Sequence, residues 1–97
     1  MIVGAMRVAI FLPENGTIKD KRHVVKSILA RVQTKFHVAA AEIEDNDNLE
    51  EAVLGIVCVS NSAPHANEIL QHTIRFIENN LLEGGLEDYH ITVEHLL

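Results

Sequence analysis

Between residues 19 and 35 the chain places Lys19, Lys21, Arg22, Lys26, Arg31 and Lys35 against Asp20 alone, a local charge of +5. The other two cations and thirteen acids give −11, so the net charge of −6 hides a sharp segregation. Grouped ammonium and guanidinium ions hold anions, and phosphate is the usual anion where they crowd a helix start. On a 100° wheel Lys19, Arg22, His23 and Lys26 fall together, opposite an apolar stripe at Val24, Val25, Ile28 and Val32. An ordinary solvated face would carry acids at i+3 or i+4 as partners, and only Asp20 is near. Lys19, Lys21 and Arg22 also crowd the first turn, where each cation opposes the helix dipole by about 0.3–1 kcal/mol. A local rule broken without compensation is where function is sought. The candidate anion or nucleic-acid residues are therefore Lys19, Lys21, Arg22, His23, Lys26, Arg31 and Lys35.

Other reactive residue types give weaker patterns. Glu42, Glu44, Asp45 and Asp47 lack the glycine and terminal glutamate of an EF-hand loop and read as an acidic surface loop. His65, Glu68 and His72 share a helical face, but the two histidines lie about 10 Å apart along the axis, too far to share one ion. His37, His90 and His95 fall on expected strands without ligand spacing. Ser27, Ser60 and Ser62 lack a nucleophile-elbow context, and no glycine-rich phosphate loop occurs. Cys58 is the only cysteine. It excludes an internal disulfide and a cysteine-based zinc site, and its apolar surroundings read as core. No catalytic residue, metal site or cofactor is expected, and the protein is read as not an enzyme.

These residues need elements to hold them. Residues 2–12 are apolar β-formers ending at Pro13, a first strand, and Pro13 to Gly16 make a turn. Thr17 to Asp20 fits a capping box opening a helix over about 18–34. Residues 36–43 read as a weak, alanine-rich second strand. Residues 52–60, nearly all apolar, read as a central third strand buried on both faces. Asn61 or Ser62 caps a second helix with Pro64 in its first turn and a core stripe at Ala66, Ile69, Leu70, Thr73, Ile74, Ile77 and Leu81. Gly84 and Gly85 end that region, and a last strand over 86–96 places Tyr89, Ile91 and Val93 on one face.

The order βαββαβ over residues 1–97 makes one α+β domain, a ferredoxin-like sandwich. Two right-handed crossovers share a four-stranded antiparallel sheet of order 4-1-3-2, with both helices on one face. The other face is left open. It would hold Val3, Ala5, Arg7, Ala9, Phe11, Val53, Val57 and Val59, with Ala39 and Ala41, more apolar surface than a monomer usually leaves wet. A homodimer covering that face is expected; a register slip of one residue would swap the faces. A hydrophobic content of 47% supports a packed core. The longest apolar run, 53–59, is too short to span a bilayer, and no signal-peptide pattern opens the chain, so the expected location is the cytoplasm.

Laid out this way, the chain resembles the YlxP-like family of small bacterial proteins along nearly its whole length. The similarity rests on Met1-Ile2-Val3-Gly4, on Thr17 to Ser27 (TIKDKRHVVKS, against a family S-L-K-[DE]-K-R-x-V-V-K-S), on Phe36-His37-Val38, on Ala41-Glu42-Ile43 and on Ala52 to Ile56. Thr17 replaces the usual serine, and Leu49 stands where an aromatic is common. The resemblance implies a ferredoxin-like fold and a genetic setting among translation and transcription factors, often beside ribosome-binding factor A. It supplies no activity.

The expected function is thus a non-catalytic accessory protein contacting structured RNA or ribosomal phosphates through its basic first helix. The few aromatics, Phe11, Phe36, Phe76 and Tyr89, argue against single-strand reading from the sheet. Four engaged phosphates would give a salt slope near −3. The alternatives are a homo-oligomeric interaction module whose basic helix docks on an acidic surface such as the 44–47 loop, and a small-anion or ligand-sensing domain.

Overall fold

A computed structural model describes residues 1–12, 17–44, 48–81 and 84–97. The order is β1 (Ile2–Phe11), α1 (Ile18–Phe36), β2 (Ala39–Glu42), β3 (Glu51–Ser60), α2 (Ala63–Asn79) and β4 (Gly85–His95). All pairings are antiparallel and the sheet order is β2-β3-β1-β4, the expected 4-1-3-2 arrangement. The turn expected at 13–16 and positions 45–47 of the expected acidic loop lie outside the described residues.

Alternation along β1 sets the two faces of the sheet. Met6, Val8 and Ile10 point to the helices and meet Leu54, Ile56 and Cys58 of β3 in one core with Val25, Ile28 and Val32 of α1 and Ala66, Leu70 and Ile77 of α2. Each fully buried Leu or Ile side chain there contributes about 1.5–3 kcal/mol. Gly4 sits on the same face beneath α2. A Cβ there would stand 3.0 Å from both Cys58 Sγ and Leu70 Cδ1, so the missing side chain lets α2 seat closely on β1. On β4, Ile91 and Val93 pack against this core as expected, while Tyr89 is exposed.

Three local expectations change. The first helix runs through Phe36, because that ring packs edge-on against Phe76 of α2 at 5.6 Å between centroids. His37 is therefore not on a strand. It closes α1 in the left-handed conformation at φ 55, with its N–H donating to Gln33 O. The second strand shrinks accordingly to Ala39–Glu42, although Ile43 N still donates to Val53 O. The third strand is central but not covered on both faces, since Val57 is 40% and Val59 65% exposed on the side without helices.

The caps match the sequence pattern. Thr17 Oγ1 accepts from Asp20 N at 3.1 Å, and Ser62 Oγ accepts from His65 N at 3.3 Å with Pro64 in the first turn. Of the expected α2 stripe, Ala66, Leu70, Thr73, Ile74 and Ile77 are buried; Ile69 is half-buried, and Leu81 lies beyond the helix end.

Candidate anion-binding site

The capped start of α1 fixes the direction of every cation that follows. Lys19, Arg22, His23 and Lys26 all project to solvent and together line one open surface depression of about 470 Å³. Their spacing i, i+3, i+4, i+7 puts them on one stripe about 10 Å long. Among the described residues none of the four makes an ion pair or a side-chain hydrogen bond. Three formal positive charges therefore stand close together on one exposed face, a combination that attracts phosphate oxygens.

Lys21 corrects the expected set. It is 4% exposed and lies in the core stripe with Val25, Ile28 and Val32. Its Nζ donates to Asn48 O at 2.9 Å and stands 3.9 Å from Glu42 Oε2. The stem is buried and the charge is taken up by β2 and the segment entering β3, so Lys21 is an internal anchor rather than a ligand for an outside anion. The spacing 21, 25, 28, 32 carried that signal, since it is the repeat of a buried helical stripe.

Arg31 and Lys35 form a separate group. They lie about 120–160° round the helix from Lys19. The Arg31 guanidinium sits 5.7 Å from the Phe76 ring centroid and donates to Asn80 Oδ1 at 3.4 Å. Lys35 Nζ stands 5.6 Å from the Phe76 centroid and 5.9 Å from that of Phe36. Both therefore steady the α1–α2 contact by cation–π attraction and do not extend the four-residue stripe.

The open sheet face is the one the pattern assigned. Val3, Ala5, Arg7, Ala9 and Phe11 pair with Val59, Val57, Gly55, Val53 and Glu51. Ala9 and Val53 are already buried within the subunit, so the wet part is smaller than expected. Ile43, not anticipated on this face, packs over Gly55, where a Cβ would come within 2.6 Å of its Cγ2. The sequence sign of this was a glycine inside an apolar strand, which marks a close approach. Arg7, mid-strand, donates to Glu44 Oε1 at 2.5 Å. That bond, the Glu44 charge, and the more distant Asp88 and Glu51 raise the Arg7 pKa above its ordinary value.

Elsewhere the chemistry is sparse. Burial pushes the Cys58 thiol pKa up, which keeps it protonated and unreactive. His65 Nδ1 shares a 3.2 Å hydrogen bond with Ser60 Oγ, and no group of three His, Cys, Asp or Glu able to hold a metal ion occurs among the described residues. No helix among them is long and apolar enough to cross a membrane.

Two solved structures share the architecture at low identity. A de novo designed protein with a ferredoxin fold, LFR1 1, superposes with a TM-score of 0.58 at 17% identity, covering 97% of this chain and 84% of the design. Rv0793 from Mycobacterium tuberculosis gives 0.51 at 19% identity, covering 100% and 96%. In sequence the chain is 35% identical to the uncharacterized protein YlxP of Bacillus subtilis (strain 168) over 78 residues, 80% of this chain and 85% of that one. The model of the family described as protein of unknown function (DUF503) matches residues 3–91, from the second residue of β1 to well into β4, and the chain belongs to that family.

Proposed function

We propose that this protein is a non-catalytic accessory protein that contacts structured RNA or ribosomal phosphates through the exposed stripe of α1. The observation behind this reading is that Lys19, Arg22, His23 and Lys26 face one depression without an internal counter-charge among the described residues. Like charges three and four residues apart cost an isolated helix about 0.2–0.5 kcal/mol per pair, and retaining them makes sense where an outside anion offsets the repulsion. Among the described residues no aromatic ring lines the depression, so the stripe grips backbone phosphates rather than stacking bases. Docking on the acidic loop of another copy is less well supported, because Glu44 is already engaged by Arg7.

With Lys21 withdrawn, three cations remain to engage phosphates, and log K falls with log salt at a slope of about −2 to −3. The test is fluorescence anisotropy of a labelled RNA hairpin, together with co-sedimentation on ribosomal subunits. The Arg22→Glu/Lys26→Glu double variant keeps its circular dichroism spectrum and loses both interactions. Retained affinity in that folded variant refutes the site.

A further inference from the structure

We infer that two copies of this chain associate edge to edge, the outer side of β4 pairing antiparallel with β4 of a second copy in a register centred on Thr92. The first ground is the contrast between the two edges of the sheet. The order β2-β3-β1-β4 leaves β2 and β4 at the ends. An edge is blunted by brevity, proline, lysine or a bulge, and an edge without these is a template for another strand. Strand β2 is only four residues long. Strand β4 has 11 residues, none of them proline, lysine or arginine. Its register against β1 shifts once, between Ala9 and Ile10, and runs unbroken from Asp88 to His95.

The second ground is the direction of the backbone groups. Leu96 N donates to Met1 O, at the start of β1. Bonding alternates from side to side along a strand, so Glu94, Thr92, His90 and Asp88 also turn their N–H and C=O groups to β1. The bond from Leu12 N to Glu50 O, on the other side of β1, sets the same phase. Tyr89, Ile91, Val93 and His95 therefore point theirs out of the sheet. Among the described residues none of these outward groups has a partner within the subunit.

The third ground is the side chains. Outward groups must meet outward groups, so a two-fold pair of β4 strands is centred on a residue rather than between two. Centred on Ile91, it sets Asp88 against Glu94, two like charges. Centred on His90 or Val93, it leaves Glu94 opposite Leu86 or Thr92. Centred on Thr92, it sets His90 against Glu94 on the open face and Ile91 against Val93 on the helix face, each twice. Such pairs are what stabilise neighbouring strands. His90 and Glu94 also fall in the unbonded, closer kind of pair, whereas along one strand they stand about 13 Å apart and do not meet. The axis is perpendicular to the sheet. The four-stranded sheets of the two copies thus run into one, with the helices of both on the same side.

Analytical ultracentrifugation and amide hydrogen exchange of the full chain, from about 10 to 500 μM, test it. The wild type becomes a dimer across that range, and the amides of Tyr89, Ile91, Val93 and His95 gain protection as it forms. Tyr89→Pro removes an outward N–H and leaves the ladder to β1 intact, so it stays monomeric with unchanged circular dichroism. His90→Glu and Glu94→Lys each weaken association by about 2- to 30-fold, two cross-strand pairs being lost per dimer. The double variant His90→Glu/Glu94→Lys restores it, because the reversed pair forms only between copies. A wild type monomeric throughout overturns the proposal and leaves the edge to a strand of another protein. A dimer whose four outward amides exchange as fast as in the monomer overturns it as well. A double variant no tighter than its singles overturns the register.

Discussion

Reversing one charge at the start of α1 separates a binding cation from a merely solvated one. Lys19 is the second residue of the helix, directly after Ile18 and the Thr17 cap. A cation there opposes the dipole by about 0.3–1 kcal/mol, and an anion gains a similar amount. Lys19→Glu therefore swings this interaction by about 0.6–2 kcal/mol in favour of folding. The pair with Arg22 at i+3 turns from repulsion to attraction, a swing of about 0.4–1 kcal/mol. Exposure and salt discount both, so a net gain of about 1 kcal/mol at low ionic strength is expected. For a domain of this size that raises Tm by about 4–8 °C in differential scanning calorimetry. In the same variant, RNA affinity falls at least tenfold and the salt slope becomes shallower by about 0.7–0.9, one phosphate contact. Stability gained with binding lost is the signature of a residue retained for an outside partner. A higher Tm with unchanged RNA affinity refutes the reasoning at Lys19, and a lower Tm refutes the electrostatic account of the helix start.

Two further substitutions probe residues with structural work to do. Lys21→Ala removes the bond to Asn48 O and the buried stem, so urea denaturation shows a loss of about 2–3 kcal/mol while the RNA salt slope stays unchanged; a shallower slope with full stability would restore Lys21 to the binding set. Gly4→Ala forces a methyl to 3.0 Å from Cys58 Sγ and Leu70 Cδ1 and costs about 1–3 kcal/mol by the same measurement; an unchanged midpoint would show that α2 can ride up on β1 without loss.

The sheet order was legible in the sequence because local signals and the right-handed crossover rule leave few alternatives for βαββαβ. Helix starts were legible for the same reason: Thr17 and Ser62 are capping residues followed by apolar repeats. The end of α1 was not, because Phe36 is a good strand former whose helical place depends on Phe76, forty residues away. The apolar run at 52–60 equally fitted burial under helices on both sides and an apolar face with nothing of its own subunit above it. Only tertiary structure separates the two. At the site, composition located the cations but could not separate those meeting solvent from those meeting their own chain. Lys21 was betrayed by its phase in the stripe, whereas the engagement of Arg31 and Lys35 required knowing that α2 brings Phe76 alongside.

The layering of the fold keeps the proposed phosphate site apart from the open sheet face. The basic stripe lies on the outer side of the helix layer, and the apolar face lies on the other side of the sheet. The same separation allows an acidic protein to carry the proposed phosphate site. Glu51, Asp88 and Glu94 sit on or beside the open sheet face, a full sheet and helix layer away from Lys19 and Arg22. Attraction is screened beyond about 8 Å at physiological salt, so a phosphate at the helix start responds to the local cations rather than to the net −6. Under the proposed function, the acids on the sheet side disfavour RNA there and leave the helix side as the approach of least cost.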